Sequence, residues 1–283
     1  MLLALVMSGA FLFYSLINNY VLPSLANNDL RVHYFDIGQG DASLIQTPGG
    51  KNILIDGGPG ENIMLPLSQA LSWHDNTIDL MILTHPHDDH VAGLIPVLKK
   101  YQVRQILYTG VIHNSPSYLE FLKTIKNKNI SLKIIDRAQK INLDEDCFLE
   151  IVYPRENLAG QTVLNLNDSS IVARLVYGNN SFLFMGDAEV EVEEELIELN
   201  IDLSADIIQV GHHGSNTSSS WKFIDYVKPK IAIISAGKDN KFGHPSLRVI
   251  RRYERFGTKI YRTDIDSAIS FRADGKEIIL LDK

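Results

Sequence analysis

Short apolar runs, four to seven residues long and closed by glycine, proline or asparagine, recur along most of this chain. Residues 31–35, 42–46 and 52–55 read as strands. Gly38-Gln39-Gly40 separates the first two, and Pro48-Gly49-Gly50 marks a tight hairpin after the second. Residues 80–84, 148–153, 170–176, 181–185, 206–210 and 230–235 continue the series, with Gly178-Asn179-Asn180 turning the chain between two of them. A terminal hairpin over 268–271 and 277–281 folds around Asp274-Gly275. Between these runs the apolar period lengthens to that of a helix over 62–73, 91–100, 118–126, 189–199 and 246–256. Strands come first, then mixed strand and helix, then the same again. That order predicts an α/β protein in which two sheets pack face to face with helices outside. No repeat, low-complexity tract or second domain boundary interrupts residues 27–283.

The start of the chain follows another pattern. Residues 2–17 are almost wholly apolar and no charge appears before Asp29. Residues 18–22 can extend the stretch to spanning length, and 23–28 read as a linker. Ser24-Leu25-Ala26 resembles a cleavage site, although the positive flank of a signal peptide is absent. An uncleaved anchor, a cleaved signal, the stub of a larger membrane region and a buried helix all remain open for residues 1–26. The anchor and signal readings place residues 27–283 outside the cytoplasm, membrane-anchored or secreted. The chain has 283 residues, a net charge of −7 and one cysteine, Cys147, so no broad basic field attracts nucleic acid and no intrachain disulfide forms.

The chemistry concentrates in His85-Pro86-His87-Asp88-Asp89-His90, directly after the 80–84 run. Imidazoles and carboxylates at this density suit zinc or manganese better than calcium or magnesium. Three further strand ends carry matching groups: Gly186-Asp187, Gly211-His212-His213-Gly214-Ser215 and Gly243-His244-Pro245-Ser246. Each alone reads equally as a turn; their order and placement carry the argument. Lys222, Lys228, Arg248, Arg251 and Arg252 follow the metal motifs and form either a local strand-binding patch or ordinary exposed helix faces.

These residues resemble the metallo-β-lactamase superfamily, and more closely the C-terminal hydrolase domain of the ComEC family of DNA-uptake channel proteins. The resemblance runs through Phe35-Asp36-Ile37-Gly38-Gln39-Gly40-Asp41-Ala42, Leu54-Ile55-Asp56-Gly57-Gly58, the histidine cluster, Phe184-Met185-Gly186-Asp187, His212-His213-Gly214-Ser215 and Gly243-His244-Pro245. It covers residue 30 to the C-terminus and lacks the family's multi-helix channel, so a stand-alone or truncated relative that does not itself translocate DNA is expected. The resemblance implies a four-layer αβ/βα sandwich holding two divalent metal ions, zinc or manganese. His85 and His87 would bind the first, Asp89 and His90 the second, and Asp187 would bridge them. His212 is favoured to complete the second site, with His213 beside it as the alternative. Many two-metal members carry a further histidine before the bridging aspartate. Here that interval holds only His113, in a loop that reads as exposed, so Asn167 or Asp168 stands in, or the pair simply forms a turn.

Asp36, Asp41 and Asp56 lie in glycine turns and are read as structural, as are His33 and His74. Asp89 is expected to orient the attacking water or accept its proton. His244 and Ser215 are the candidates to hold a phosphate oxygen or protonate the leaving group, His244 alternatively shaping a turn and Ser215 capping a segment. The implied function is a metal-dependent phosphodiesterase, most closely a nuclease on single-stranded DNA. A separate membrane DNA-uptake channel would be its partner, and the N-terminal segment would contact the membrane. The alternatives are a phosphodiesterase on a cell-wall choline phosphate or small nucleotide, and a non-catalytic DNA-binding module.

Overall fold

The computed structural model describes residues 29–72 and 74–281. The apolar segment expected over residues 1–26 lies outside the described residues. Among those described, no helix is long and apolar enough to cross a membrane.

Fifteen described strands form two sheets. Strands β1 (Leu30–Tyr34), β2 (Ser43–Gln46), β3 (Asn52–Ile55), β4 (Thr77–Ile82), β5 (Gln102–Tyr108), β6 (Ser131–Ile134), β14 (Ile269–Ala273) and β15 (Ile278–Leu280) build the first, in the order β15-β14-β1-β2-β3-β4-β5-β6. Strands β7 (Gln139–Asp144), β8 (Cys147–Tyr153), β9 (Val172–Tyr177), β10 (Asn180–Phe184), β11 (Ile207–Gln209), β12 (Ile231–Ile234) and β13 (Lys259–Arg262) build the second, in the order β13-β12-β11-β10-β9-β8-β7. β3 to β6 run parallel, as do β10 to β13. Helices cover only the outer faces, which gives the expected four layers.

Three apolar fillings explain this arrangement. Val32, Tyr34, Ile53 and Ile82 of the first sheet meet Leu149, Leu175, Phe182 and Phe184 of the second. The alternate residues Leu54 and Met81 face outward onto helices at Met64–Ala70, Leu94–Lys100 and Pro116–Lys128. Leu183 and Ile208 do the same beneath helices at Val190–Glu198, Trp221–Val227 and Leu247–Arg255. Strands buried on both faces read as continuous apolar runs, which made β3 and β10 legible. A polar thread crosses the inter-sheet filling: Ser43 Oγ donates to Gln209 Oε1 at 3.1 Å, and Gln209 Nε2 donates to Ser235 Oγ at 3.2 Å.

β5, β6, β7 and β13 were absent from the sequence expectation. β6 is exposed at every position and so carries no burial pattern. The helix expected over 91–100 is broken at Gly93, whose N–H bonds Gly58 O at 2.8 Å. A Cβ at Gly93 would overlap Gly57 O, so only glycine permits this approach. The helix Pro116–Lys128 starts where Ser115 caps it, its side chain accepting from Tyr118 N, and stops at Asn129 in the left-handed region.

Phe184 fills the space between the sheets, stacked 6.0 Å from Tyr34. Phe184→Ala should therefore cost about 3–5 kcal/mol of stability, read from urea unfolding. A loss under about 1 kcal/mol would mean the sheets do not pack through this ring.

Candidate metal centre

Parallel strands deliver the site residues from their carboxyl ends, the usual place for ligands in such sheets. His85 follows β4, Asp187 follows β10, and His212 and His213 follow β11. The short turn Asp88–Val91 folds His90 back beneath His85, their rings 4.2 Å apart. Backbone bonds fix that turn: Gly57 N to His90 O at 2.8 Å and Asp41 N to Asp89 O at 3.3 Å. Gly40, at φ +127°, lies so close that a Cβ would strike Asp89 O. Gly40 and Gly57 thus bring two loops against the histidine turn.

Asp187 stands at the centre, buried, and its two oxygens face different partners. Oδ2 lies 3.6 Å from His85 Nε2, which is itself 3.0 Å from His87 Nδ1. Oδ1 lies 3.2 Å from His90 Nε2 and 3.4 Å from His213 Nε2, and His213 Nε2 is 3.5 Å from Asp89 Oδ2. The opposite ring nitrogens are all anchored. His85 Nδ1 meets Thr84 Oγ1 at 3.1 Å, His90 Nδ1 donates to Asp56 Oδ2 at 2.8 Å, and His213 Nδ1 donates to Ser235 O at 3.0 Å. Such bonds select the tautomer and aim a lone pair from each Nε2 inward. His90 Nε2, His213 Nε2 and Asp187 Oδ1 are buried and make no hydrogen bond. Orphaned donor atoms converging at these distances fit a bound cation, since unpaired buried polar groups are otherwise costly.

The electrostatics agree. Burial alone would raise the Asp187 carboxyl, but the facing His213, His90 and His85 rings hold it well below the usual range. Burial would lower His90, yet the Asp187 and Asp56 carboxylates outweigh it and raise it well above the ordinary imidazole value. His213 is raised in the same way by Asp187 and Asp41. His85 is pushed well down by burial and by His90 beside it. A divalent ion would take the place of the protons that His90 and His213 hold against Asp187.

The adjacent histidines part company, and here the geometry departs from expectation. Both occupy the left-handed region, at φ 49° and 53°, a strain of about 1–3 kcal/mol each for non-glycine residues. The twist sends the buried His213 ring inward beside His90 and Asp89. His212 points the other way, its Nδ1 2.8 Å from Glu189 Oε1, and its Nε2 comes 4.0 Å from Asp187 Oδ2 on the His85 side. His213, not the favoured His212, therefore sits with Asp89 and His90. Asn167 Nδ2 lies 3.4 Å from His212 Nε2, while Asp168 turns away into a group with Glu189 and Glu191. Of the pair, only Asn167 is brought against the His212 ring.

Ser215 is buried and its hydroxyl accepts from Thr217 N and Thr217 Oγ1, so it closes its own loop. His244 is half-buried at the mouth, its ring 5.4 Å from His212 and 5.8 Å from Phe242, with Nδ1 lacking a partner. Burial, then His212 and His213, lower its pKa. Asp56 and Asp41, read as turn residues, turn out to hold the outer nitrogens of His90 and His213, Asp41 Oδ1 at 3.3 Å. The glycines beside each were the signal available in the sequence. His113 also comes to the rim, its ring 6.4 Å from that of His87.

Residues 35–238 match the model of the Metallo-beta-lactamase superfamily. The chain is 28% identical to ComE operon protein 3 of Bacillus subtilis (strain 168) over 272 residues, 89% of this chain and 34% of that protein. It is 26% identical to competence protein ComA of Neisseria gonorrhoeae, covering 89% of this chain and 34% of that one. The chain thus spans about a third of the length of these relatives. Among solved structures, CmlA, a diiron β-hydroxylase from Streptomyces venezuelae, superposes with a TM-score of 0.56 at 14% identity, over 87% of this chain and 54% of that one. That likeness concerns the fold alone.

Removing the Asp56 carboxylate should loosen His90 without deleting a ligand. Asp56→Asn is expected to weaken metal binding about 10- to 100-fold, the usual effect of losing the carboxylate behind a ligating histidine. Metal titration would show it; an unchanged affinity would make Asp56 a turn residue only.

Proposed function

The chain belongs to the metallo-β-lactamase superfamily, and from that premise we propose that it is a metal-dependent phosphodiesterase cleaving single-stranded DNA. One observation carries the reading: imidazoles approach both oxygens of one buried carboxylate, His85 at Asp187 Oδ2 and His90 with His213 at Oδ1. His85 Nε2, His87 Nδ1 and Asp187 Oδ2 would hold one divalent ion, with His212 and Asn167 next to them. Asp89, His90, His213 and Asp187 Oδ1 would hold the other. Oxygen donors among the imidazoles suit manganese as well as zinc.

When bound, such a pair supplies activation of water at neutral pH and neutralises the charge that a phosphodiester gains on attack. The protein's own groups do the rest. Asp89, partly exposed at 29% and held ionised by His213 and His90, accepts a hydrogen bond from the attacking water and orients it. His90 and His213 are immobilised by Asp56, Ser235 O and Asp41, so the ring positions are preorganised. His244, half-buried with its ring 5.4 Å from that of His212, is the group placed to meet a phosphate oxygen or the leaving group. Ser215 shapes the loop rather than touching substrate. The kinship to proteins named for competence supports DNA as the phosphodiester.

The test is hydrolysis of labelled single-stranded DNA by the full chain with manganese, zinc or a chelator. Cleavage should need metal and fall at least a thousandfold in His87→Ala, within the range such centres contribute. Intact DNA with cleavage of a small phosphodiester would move the substrate to a choline phosphate or nucleotide. No hydrolysis by a metal-loaded protein would leave a binding module. A companion measurement separates the histidines: His213→Ala should bind one metal equivalent fewer, whereas His212→Ala should keep the equivalent held with Asp89 and His90.

A further inference from the structure

The strongest feature outside the metal centre is electrostatic. Residues 221–256 carry nine lysines and arginines against three acidic residues, in a chain whose net charge is −7. The rest of the molecule is correspondingly more acidic, so this excess is a local field rather than a general one. Much of it gathers in a cleft of about 380 Å³ between the helices Trp221–Val227 and Leu247–Arg255, lined by Trp221, Arg248, Arg251, Arg252 and Arg255.

These residues have different jobs. Arg252 is built into the framework: its Nη1 donates to Ser218 O at 3.1 Å and Ser219 O at 2.9 Å. The buried Glu193 carboxylate accepts from the N–H groups of Ser219 and Ser220 and pins the same loop from the other side. Arg248, Arg251 and Arg255 are exposed and make no ion pair among the described residues. At positions 248, 251 and 255 they share one helix face, which rises about 10 Å at 1.5 Å per residue. That equals about three nucleotides of a stacked strand at about 3.4 Å each. Trp221 is 42% exposed, with Phe256 5.3 Å away and the Arg255 guanidinium over its ring at 5.8 Å. Exposed aromatic faces between unpaired cations make a platform for bases and their phosphates.

The cleft is joined to the metal centre by backbone. Its tryptophan ends the loop that carries His213, and Ser246, which caps the arginine helix, donates its N–H to Gly214 O at 2.9 Å. Arg248 therefore lies four residues along the chain from His244.

We propose that the Trp221/Arg248/Arg251/Arg255 cleft binds the single strand alongside the scissile bond, arginines on the phosphates and Trp221 stacked on a base. The assignment deepens the phosphodiesterase reading and rests on it for the cut, not for the binding. Duplex DNA keeps its bases stacked inside and cannot use the tryptophan.

Binding is therefore measured without turnover. The full chain in mild detergent is titrated, in chelator, with labelled oligothymidylate, an abasic strand of equal length, a duplex, and anionic lipid vesicles. Single-strand affinity should exceed that for duplex and vesicles. Arg248→Glu/Arg251→Glu should weaken it at least tenfold and flatten its salt slope by roughly 1.4, for two phosphate contacts. Lys99→Glu/Lys126→Glu changes net charge equally on exposed residues of the opposite helical layer and should leave affinity within about twofold, since a distant exposed charge is screened. Trp221→Ala should cost about tenfold on oligothymidylate and little on the abasic strand. Unaltered thermal unfolding of each variant would exclude misfolding. Equal losses in the two double variants, preference for duplex or vesicles, or an indifferent Trp221→Ala would overturn the assignment. Tight strand binding without cleavage by the metal-loaded wild type would sink the nuclease reading and leave the cleft standing.

Discussion

One buried carboxylate organises this molecule. Asp187 lies where the two sheets meet, and burying its charge is tolerable only because imidazoles from both sheets surround it. Every peculiarity nearby follows from bringing those rings within reach. The histidine turn is clasped by two glycine loops, Gly186 turns the chain at φ +52° directly before the carboxylate, and two successive histidines accept left-handed backbone. Local strain of this kind persists where the surroundings over-determine it. The surroundings here are two fully packed sheet faces.

The fold places this centre economically. Parallel strands in both sheets end on the same side, so four connections arrive at one edge without long excursions. A second ring of groups then holds the first: Thr84, Asp56, Ser235 O and Asp41 each fix the outer nitrogen of an imidazole. Ser235 belongs at once to this ring, through its carbonyl, and to the polar thread that crosses the core, through its hydroxyl. Positioning of the site and cohesion of the sandwich are therefore partly the same contacts.

Much of this was legible in the sequence. The histidine cluster and the glycine turns are local in the chain and stood out by their spacing, whereas the bridging role of Asp187 came in through the family resemblance. The buried strands announced themselves as apolar runs. What escaped had physical reasons. β6 is exposed at every position and shows no pattern. The helix expected over 91–100 takes in Gly93, which instead marks a contact with Gly57 that is remote in sequence. His212 and His213 are the same residue type side by side and both take left-handed backbone, so which ring turns inward depends on the path of the loop in three dimensions. Asp56 and Asp41 were read as turn formers because turns are what such residues usually make. Their true partners, His90 and His213, lie 34 and 172 positions away. Asn167 and Asp168 both lie beside Glu189 but only Asn167 meets His212, a distinction that a one-dimensional pattern does not contain.

The two oxygens of Asp187 are carried by one sheet, while His85 and His90 are carried by the other. The centre therefore works as a calliper, with the sheets as its jaws. Close-packed interiors are stiff and transmit displacement rather than absorb it. A change of a few tenths of an ångström in the spacing of the sheets, made deep in the filling around Phe184 or Phe182, would reappear at the edge as a changed gap between donors. The aromatic filling is thus also a spacer that sets the bore of the centre. Catalytic competence and thermodynamic stability need not fail together: a core that still folds can hold its jaws at the wrong opening.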